Sequence, residues 1–328
     1  MSGGLPAAGN VLAVIPPHVG GRSTGSALAD LVPGAHVTVV ESADEDPAAL
    51  REAHAIITAL APVTAGHLAA APALELVQCA SHGYDYVDLD AARARSVVVC
   101  NIGSSGAEAQ NVAEQTFALM LALAKQVVPA HTALAEADWA LPRLQQSLTE
   151  LSGKTLGIVG LGNIGQEVAR RALVFGMRLV YTGRNRAPAE TESRLGDARH
   201  LPLDELLHAS DYVSLHAPLT PDTRHLLDAR RIALLRPTAF LVNTARGALV
   251  DQDALADALT AGALAGAGID VFDPEPPTAA LRLLKAPNVV LSPHVGGVTR
   301  ETLVRIALAA VQNVVDHLGG KPLRDVVS

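Results

Sequence analysis

Two α/β units in tandem, each a doubly wound parallel sheet, are what this sequence predicts, and three observations carry the expectation. The chain has 328 residues, more than one core usually serves, since single hydrophobic cores stop growing at about 250–300 residues. Short β-branched runs alternate with Ala-rich, helix-compatible stretches along most of the length, the pattern of βαβ units. A glycine-rich turn sits between one of those runs and a helical stretch near the middle of the chain.

Taken in order, VLAVIPP, HVTVV, HAIITAL, LELVQCA and VVVCN read as the strands of the first unit, with DPAALREAH and DLDAARARS as helices between them. A long apolar helix is expected over residues 112–126, followed by an irregular stretch holding Pro129, Trp139 and Pro142. TLGIVG, RLVYTG, YVSLHAP, AFLVNTA, AGAGIDVF and VVLSPHV then read as six more strands, and a last helix covers about residues 299–318. Residues 101–106 and 293–297, rich in Gly or Pro, read as the points where the chain crosses between units.

Composition excludes several classes. Hydrophobic residues make up 49% and charged residues 18%, which is globular rather than disordered. A formal net charge of −8 gives no basic footprint for a nucleic-acid backbone. The two cysteines, Cys79 and Cys100, cannot frame a disulfide scaffold and have no neighbours at metal-ligand spacing, so no metal is expected. The opening MSGGLPAAGN lacks a basic n-region, residues 11–15 are too short for a signal-peptide core, and no run approaches a membrane span of ~20 residues. The expectation is a cytoplasmic protein.

The strongest local signal is Gly160-Leu161-Gly162-Asn163-Ile164-Gly165, after the strand TLGIV and before the helix QEVARRALVFG. That context is what a dinucleotide fingerprint requires. Gly160 permits a tight turn, Gly162 leaves room for a pyrophosphate, and Gly165 lets helix and strand pack closely. The next strand ends in Thr182-Gly183-Arg184-Asn185-Arg186, with no carboxylate before Glu190. An NAD site wants an acid there, whereas Arg184 and Arg186 suit a 2′-phosphate. NADP(H) is therefore expected as the preferred cofactor. The alternative is two solvated arginines, with NAD(H) bound less selectively.

Three later strand ends carry polar groups: Asn243-Thr244-Ala245-Arg246, then Asp270 through Glu275, then Pro293-His294. Ligands of open α/β sheets bind beyond such ends. A 2-keto acid presents a carboxylate beside a carbonyl. Arg246 suits either oxygen through charge-assisted hydrogen bonds, His294 suits proton exchange with the carbonyl oxygen, and Glu275 would favour and orient the imidazolium. Alone, each residue reads as a turn or surface group; three at successive strand ends read as a site.

On these residues the chain resembles the D-isomer-specific 2-hydroxyacid dehydrogenases. GYDYVDLDAARARSVVVCN, NVAEQTFALMLAL, GKTLGIVGLGNIG, SLHAPLTPDTRHLL, LVNTARGALVD, GIDVFDPEPP and SPHVGG carry the likeness, and YTGR resembles the NADPH-linked glyoxylate/hydroxypyruvate reductases among them. The resemblance implies that Arg246 binds substrate, Glu275 is the carboxylate partner and His294 the acid/base. It implies that Asn163, Ile164, Thr182, Asn185, His216, Pro218, Thr223, Thr244, Ala245, Asp270 and Gly296 meet the cofactor, Asp270 at the nicotinamide carboxamide. The implied layout is a Rossmann cofactor domain, residues 102–296, inserted in a flavodoxin-like substrate domain, residues 1–101 and 297–328. Homodimers would form through the helix after Asn111 and the arm near Trp139.

Ser81-His82-Gly83 matches the loop that holds the substrate carboxylate through backbone N–H groups, Gly83 allowing close approach. His82 is an unusual letter there; it either adds charge for an anionic tail or faces solvent. Phosphite dehydrogenases resemble the chain but carry lysine at this position, and formate dehydrogenases carry glutamine where Glu275 stands. The expected function is a 2-keto acid reductase. The alternatives are a dehydrogenase of a phosphite- or phosphonate-type anion and a dinucleotide-sensing co-repressor.

Overall fold

The computed structural model describes residues 9–328; the reading of residues 1–8 as lacking a basic leader region lies outside them. The chain divides into two compact units, one running up to Glu108 and resuming at Arg300–Ser328, the other Ala109–Thr299.

In the first unit, strands β1 (Asn10–Val14), β2 (His36–Val40), β3 (Ala55–Thr58), β4 (Leu76–Cys79) and β5 (Val98–Cys100) follow the five predicted runs. They form one parallel sheet in the order β2-β1-β3-β4-β5, the flavodoxin-like order. β3 and β4 are buried along their whole length, as expected of strands covered on both faces. Alternate residues feed two layers: Leu12, Val14, Val77 and Cys79 enter one, Val11 and Leu76 the other. Residues 102–108 belong with this unit. Ile102 and Ala107 pack on Ala310 of the helix Arg300–Leu318, and Arg305 donates to the Ala107 carbonyl.

In the second unit, strands β6 (Thr155–Val159), β7 (Arg178–Thr182), β8 (Arg199–His200), β9 (Tyr212–Leu215), β10 (Phe240–Asn243), β11 (Gly266–Ile269) and β12 (Val289–Leu291) make a parallel sheet. Its order is β12-β11-β10-β9-β6-β7-β8, the Rossmann order with a seventh strand added. β8 was not among the six expected strands. It is two residues long, pairs only with β7 at the sheet edge, and so has no periodicity to read. Along β10, Leu241 faces one core while Phe240 and Val242 face the other. The long apolar helix predicted after residue 112 is Ala109–Ala124, largely buried in that second core. Among the described residues no single helix is long and apolar enough to cross a membrane.

Candidate active site

The strand order of the second sheet reverses between β6 and β9, the place where dinucleotides sit in such sheets. Gly160 follows β6 with φ 98°, and a Cβ there would lie 2.6 Å from the His216 carbonyl oxygen after β9. A Cβ at Gly165 would lie 2.1 Å from the Gly160 oxygen, whereas at Gly162 nothing lies within 4 Å. The turn is therefore closed where chain meets chain and open at its crest. The twelve-residue helix Asn163–Val174 starts there with no side-chain cap. The N-terminus of a helix presents backbone N–H groups that suit an anion. A pyrophosphate fits this cradle.

His216 shares a 2.8 Å hydrogen bond between Nε2 and Ser214 Oγ. Burial pushes its pKa down to about 3, so the ring is neutral. Its Nδ1 is buried with no protein partner among the described residues. Beside it, Thr223 Oγ1 bonds the Pro218 carbonyl at 2.7 Å and so folds residues 218–223 into a turn.

β7 delivers the loop meant to choose the cofactor. The Gly160 N–H donates to the Thr182 carbonyl at 2.9 Å, which ties that loop to the glycine turn. Gly183 and Arg184 are exposed, and a Cβ at Gly183 would meet only the Asn185 oxygen, at an ordinary 3.6 Å. No steric reason excludes an acid there. Arg186, expected beside Arg184 as a phosphate partner, is engaged with an acid the sequence reading passed over: Nε and Nη2 donate to the Glu192 carboxylate at 2.9 and 2.8 Å.

The three polar strand ends converge as a working set. Glu275 Oε1 accepts from the Phe272 N–H at 2.7 Å, and Oε2 bonds His294 Nδ1 at 2.7 Å. Burial alone would raise the Glu275 carboxyl, but the His294 hydrogen bond and charge, the Phe272 N–H and the Arg246 charge hold it below its usual value. The carboxylate is thus ionised, Nδ1 must be the donor to it, and Nε2 lies outside that pairing. Arg246 is half-buried at the end of β10, where the Asn243 amide donates to its carbonyl at 2.8 Å. Thr244 is buried and its hydroxyl meets that of Thr116 at 3.1 Å; Ala245 donates to Asn243 Oδ1 at 3.1 Å.

His294 stands in the left-handed region at φ 54°, and Asp270 holds it there. The Asp270 carbonyl accepts from the His294 N–H at 2.7 Å. The Asp270 carboxylate accepts from Val295 N at 3.0 Å, Gly296 N at 2.8 Å and the Ser292 hydroxyl. Burial raises the Asp270 pKa despite these bonds. Expected to meet a carboxamide, this carboxylate is also the clamp of the His294 loop.

In the first unit, the loop Ser81–Gly83 is held by its own neighbours. Ser81 Oγ lies 2.7 Å from both the Gly83 carbonyl and the Tyr86 hydroxyl. Asn101, 6% exposed, donates its amide to the His82 carbonyl at 2.7 Å. Asn101 and Tyr86 lie inside the stretch GYDYVDLDAARARSVVVCN, but their support of this loop rests on hydrogen bonds across 19 and 5 residues that the letters do not show.

A glycine cradle at the reversal of a Rossmann sheet, with an arginine and an ionised carboxylate–histidine pair at its later strand ends, defines a nicotinamide-dinucleotide-dependent dehydrogenase. Residues 117–296 match the family model for the NAD binding domain of D-isomer specific 2-hydroxyacid dehydrogenases. The chain is similar to the hydroxypyruvate reductase of Thermotoga maritima, 39% identical over 80% of this chain and 84% of that one. It is 41% identical to the glyoxylate reductase of Aeropyrum pernix, over 83% and 82% of the two. Among solved structures it resembles the TT0316 protein from Thermus thermophilus, with a TM-score of 0.83 and 38% identity over 97% of this chain and 99% of that chain. The chain belongs to the D-isomer-specific 2-hydroxyacid dehydrogenase family.

Proposed function

We propose that this dehydrogenase works as a reductase of small 2-keto acids of the glyoxylate and hydroxypyruvate type, with NADPH preferred over NADH. The observation that carries the proposal is the ionised Glu275 bonded to His294 at 2.7 Å, with the Arg246 charge beside it. The names of the relatives favour a keto acid over a phosphite-type anion or a co-repressor role. The acid-free strand end at Gly183 and the exposed Arg184 favour a 2′-phosphate.

A bound nicotinamide would supply the hydride. Arg246 orients the keto acid through a charge-assisted fork. His294, protonated on Nε2, gives its proton to the carbonyl oxygen as negative charge develops there, and takes it back in the reverse direction. Glu275 accepts from Nδ1 and so fixes the ring's orientation, with Nε2 turned to the substrate. The N–H groups of the Ser81–Gly83 loop suit the substrate carboxylate, and Asn101 steadies that loop through the His82 carbonyl. We read the chain as a homodimer; Val127, Val128, Leu134, Trp139 and Leu141 are large apolar side chains left exposed along residues 127–141, a composition suited to an interface core.

The test is consumption of NADPH and NADH in parallel against glyoxylate, hydroxypyruvate, pyruvate, phenylpyruvate and phosphonopyruvate. Faster NADPH consumption with one of the first two is expected. Turnover confined to the bulky or phosphonate acids, or equal use of both cofactors, overturns the corresponding half of the proposal.

A further inference from the structure

We propose that Glu192 is a positioning residue for cofactor choice, which holds Arg186 by one edge so that its other edge faces a 2′-phosphate; this rests on the NADPH reading above.

A guanidinium has two edges that each suit an anion, one formed by Nε with Nη2 and one by Nη1 with Nη2. Glu192 takes the first, its two oxygens bonding Nε at 2.9 Å and Nη2 at 2.8 Å. The second is left outward: the Arg186 side chain is 69% exposed, while that of Glu192 is 10% exposed. Glu192 is itself pinned, because the buried Tyr181 donates its hydroxyl to Oε1 at 2.6 Å. The same hydroxyl accepts from the Ala187 N–H at 2.8 Å. Strand β7, the loop after it and the helix Ala189–Arg194 are thereby joined through one hydroxyl and one carboxylate. His200 of β8 packs against Tyr181, ring centroids 5.1 Å apart, closing the knot from the sheet edge.

The arrangement answers a problem of charge. An acid near a 2′-phosphate opposes it, which is why NAD sites use one. Here the acid is neutralised by the arginine it holds and lies beneath the loop, so its net effect is order rather than repulsion. Arginine carries large rotamer entropy, and fixing it before the ligand arrives reduces what binding must spend on ordering. Arg184, with no acid paired to it among the described residues, contributes charge without that preorganisation.

The experiment is calorimetric titration of the whole protein with adenosine 2′,5′-bisphosphate and with 5′-AMP, for wild type, Glu192→Gln, Arg186→Ala, Arg184→Ala and the double variant Glu192→Gln with Arg186→Ala. Glu192→Gln should weaken the 2′,5′-bisphosphate by roughly 3–10-fold, within the range of ordering one long side chain, and leave 5′-AMP unchanged. On the Arg186→Ala background the same substitution should change nothing. Equal weakening of both ligands, no weakening, or the same loss without Arg186 would overturn the proposal. If Arg186→Ala has no effect but Arg184→Ala does, Glu192 has no role although the NADPH reading stands; if neither has an effect, that reading falls too. Should Glu192→Gln not fold, Arg186→Lys replaces it. Lysine can satisfy Glu192 but has no second edge, so wild-type affinity for the 2′,5′-bisphosphate in that variant would equally overturn the proposal.

Discussion

Replacing Glu275 by glutamine changes one atom and tests the proton path. Two donors converge on this carboxylate, the Phe272 N–H on Oε1 and His294 Nδ1 on Oε2, each at 2.7 Å. An amide offers one oxygen and one NH2, so it cannot accept at both of these positions. If its oxygen turns to Phe272, the NH2 faces Nδ1 and opposes the doubly protonated ring that reduction needs. Either way a charge-assisted bond is lost, worth about 1.5–3 kcal/mol. At 1.36 kcal/mol per decade that is roughly 10–100-fold in kcat. Because Glu275 is held below the usual carboxylate range, the loss should be present from mildly acidic pH upward. Steady-state reduction of a keto acid, with dinucleotide affinity measured separately, reads it. A kcat within twofold of wild type would refute the argument that Glu275 sets the state of His294.

Arg246→Lys should lower kcat/KM by roughly 10–100-fold through loss of one charge-assisted bond, with dinucleotide affinity unaltered; an unchanged kcat/KM would remove Arg246 from substrate binding. Gly183→Asp has room for its side chain, since the Cβ meets only the Asn185 oxygen at 3.6 Å. It should weaken NADPH by about tenfold or more through like-charge repulsion while leaving or improving NADH, and parallel loss of both would refute the specificity argument. Glu192 has its pKa lowered from 4.5 to about 2 by the Arg186 and Tyr181 hydrogen bonds. A folded value below the unfolded one contributes stability above about pH 4.5 that fades as pH falls toward 2. Glu192→Gln should therefore lower Tm more at pH 7 than at pH 3; the same difference at both would contradict the linkage.

What could be read from sequence was whatever repeats locally. Buried parallel strands are runs of Val, Ile and Leu, and the glycine turn needs its three small residues within six positions, so every strand but β8 and the cradle itself were visible in the letters. Arg246, Glu275 and His294 could be proposed because parallel topology brings strand ends together whatever their separation in the chain. The supports were not visible. Glu192 reaches Arg186 only after the loop turns and the helix Ala189–Arg194 folds back. Asp270 meets Val295 and Gly296 across 25 and 26 residues, and Asn101 meets the His82 carbonyl across 19. The last two are hydrogen bonds to backbone, which any chain position supplies, so no residue type announces them. β8 is too short to show a period, and its pairing with β7 is equally silent in the letters.

The most direct measurement is the rate of keto acid reduction by His294→Ala beside wild type, with dinucleotide binding followed by fluorescence in the same preparations. The account predicts unchanged dinucleotide affinity and a kcat lower by roughly 10²–10⁴-fold, the usual range for an acid–base group. A near-normal kcat in the variant would contradict the assignment of His294 and, with it, the mechanism built on the Glu275–His294 pair.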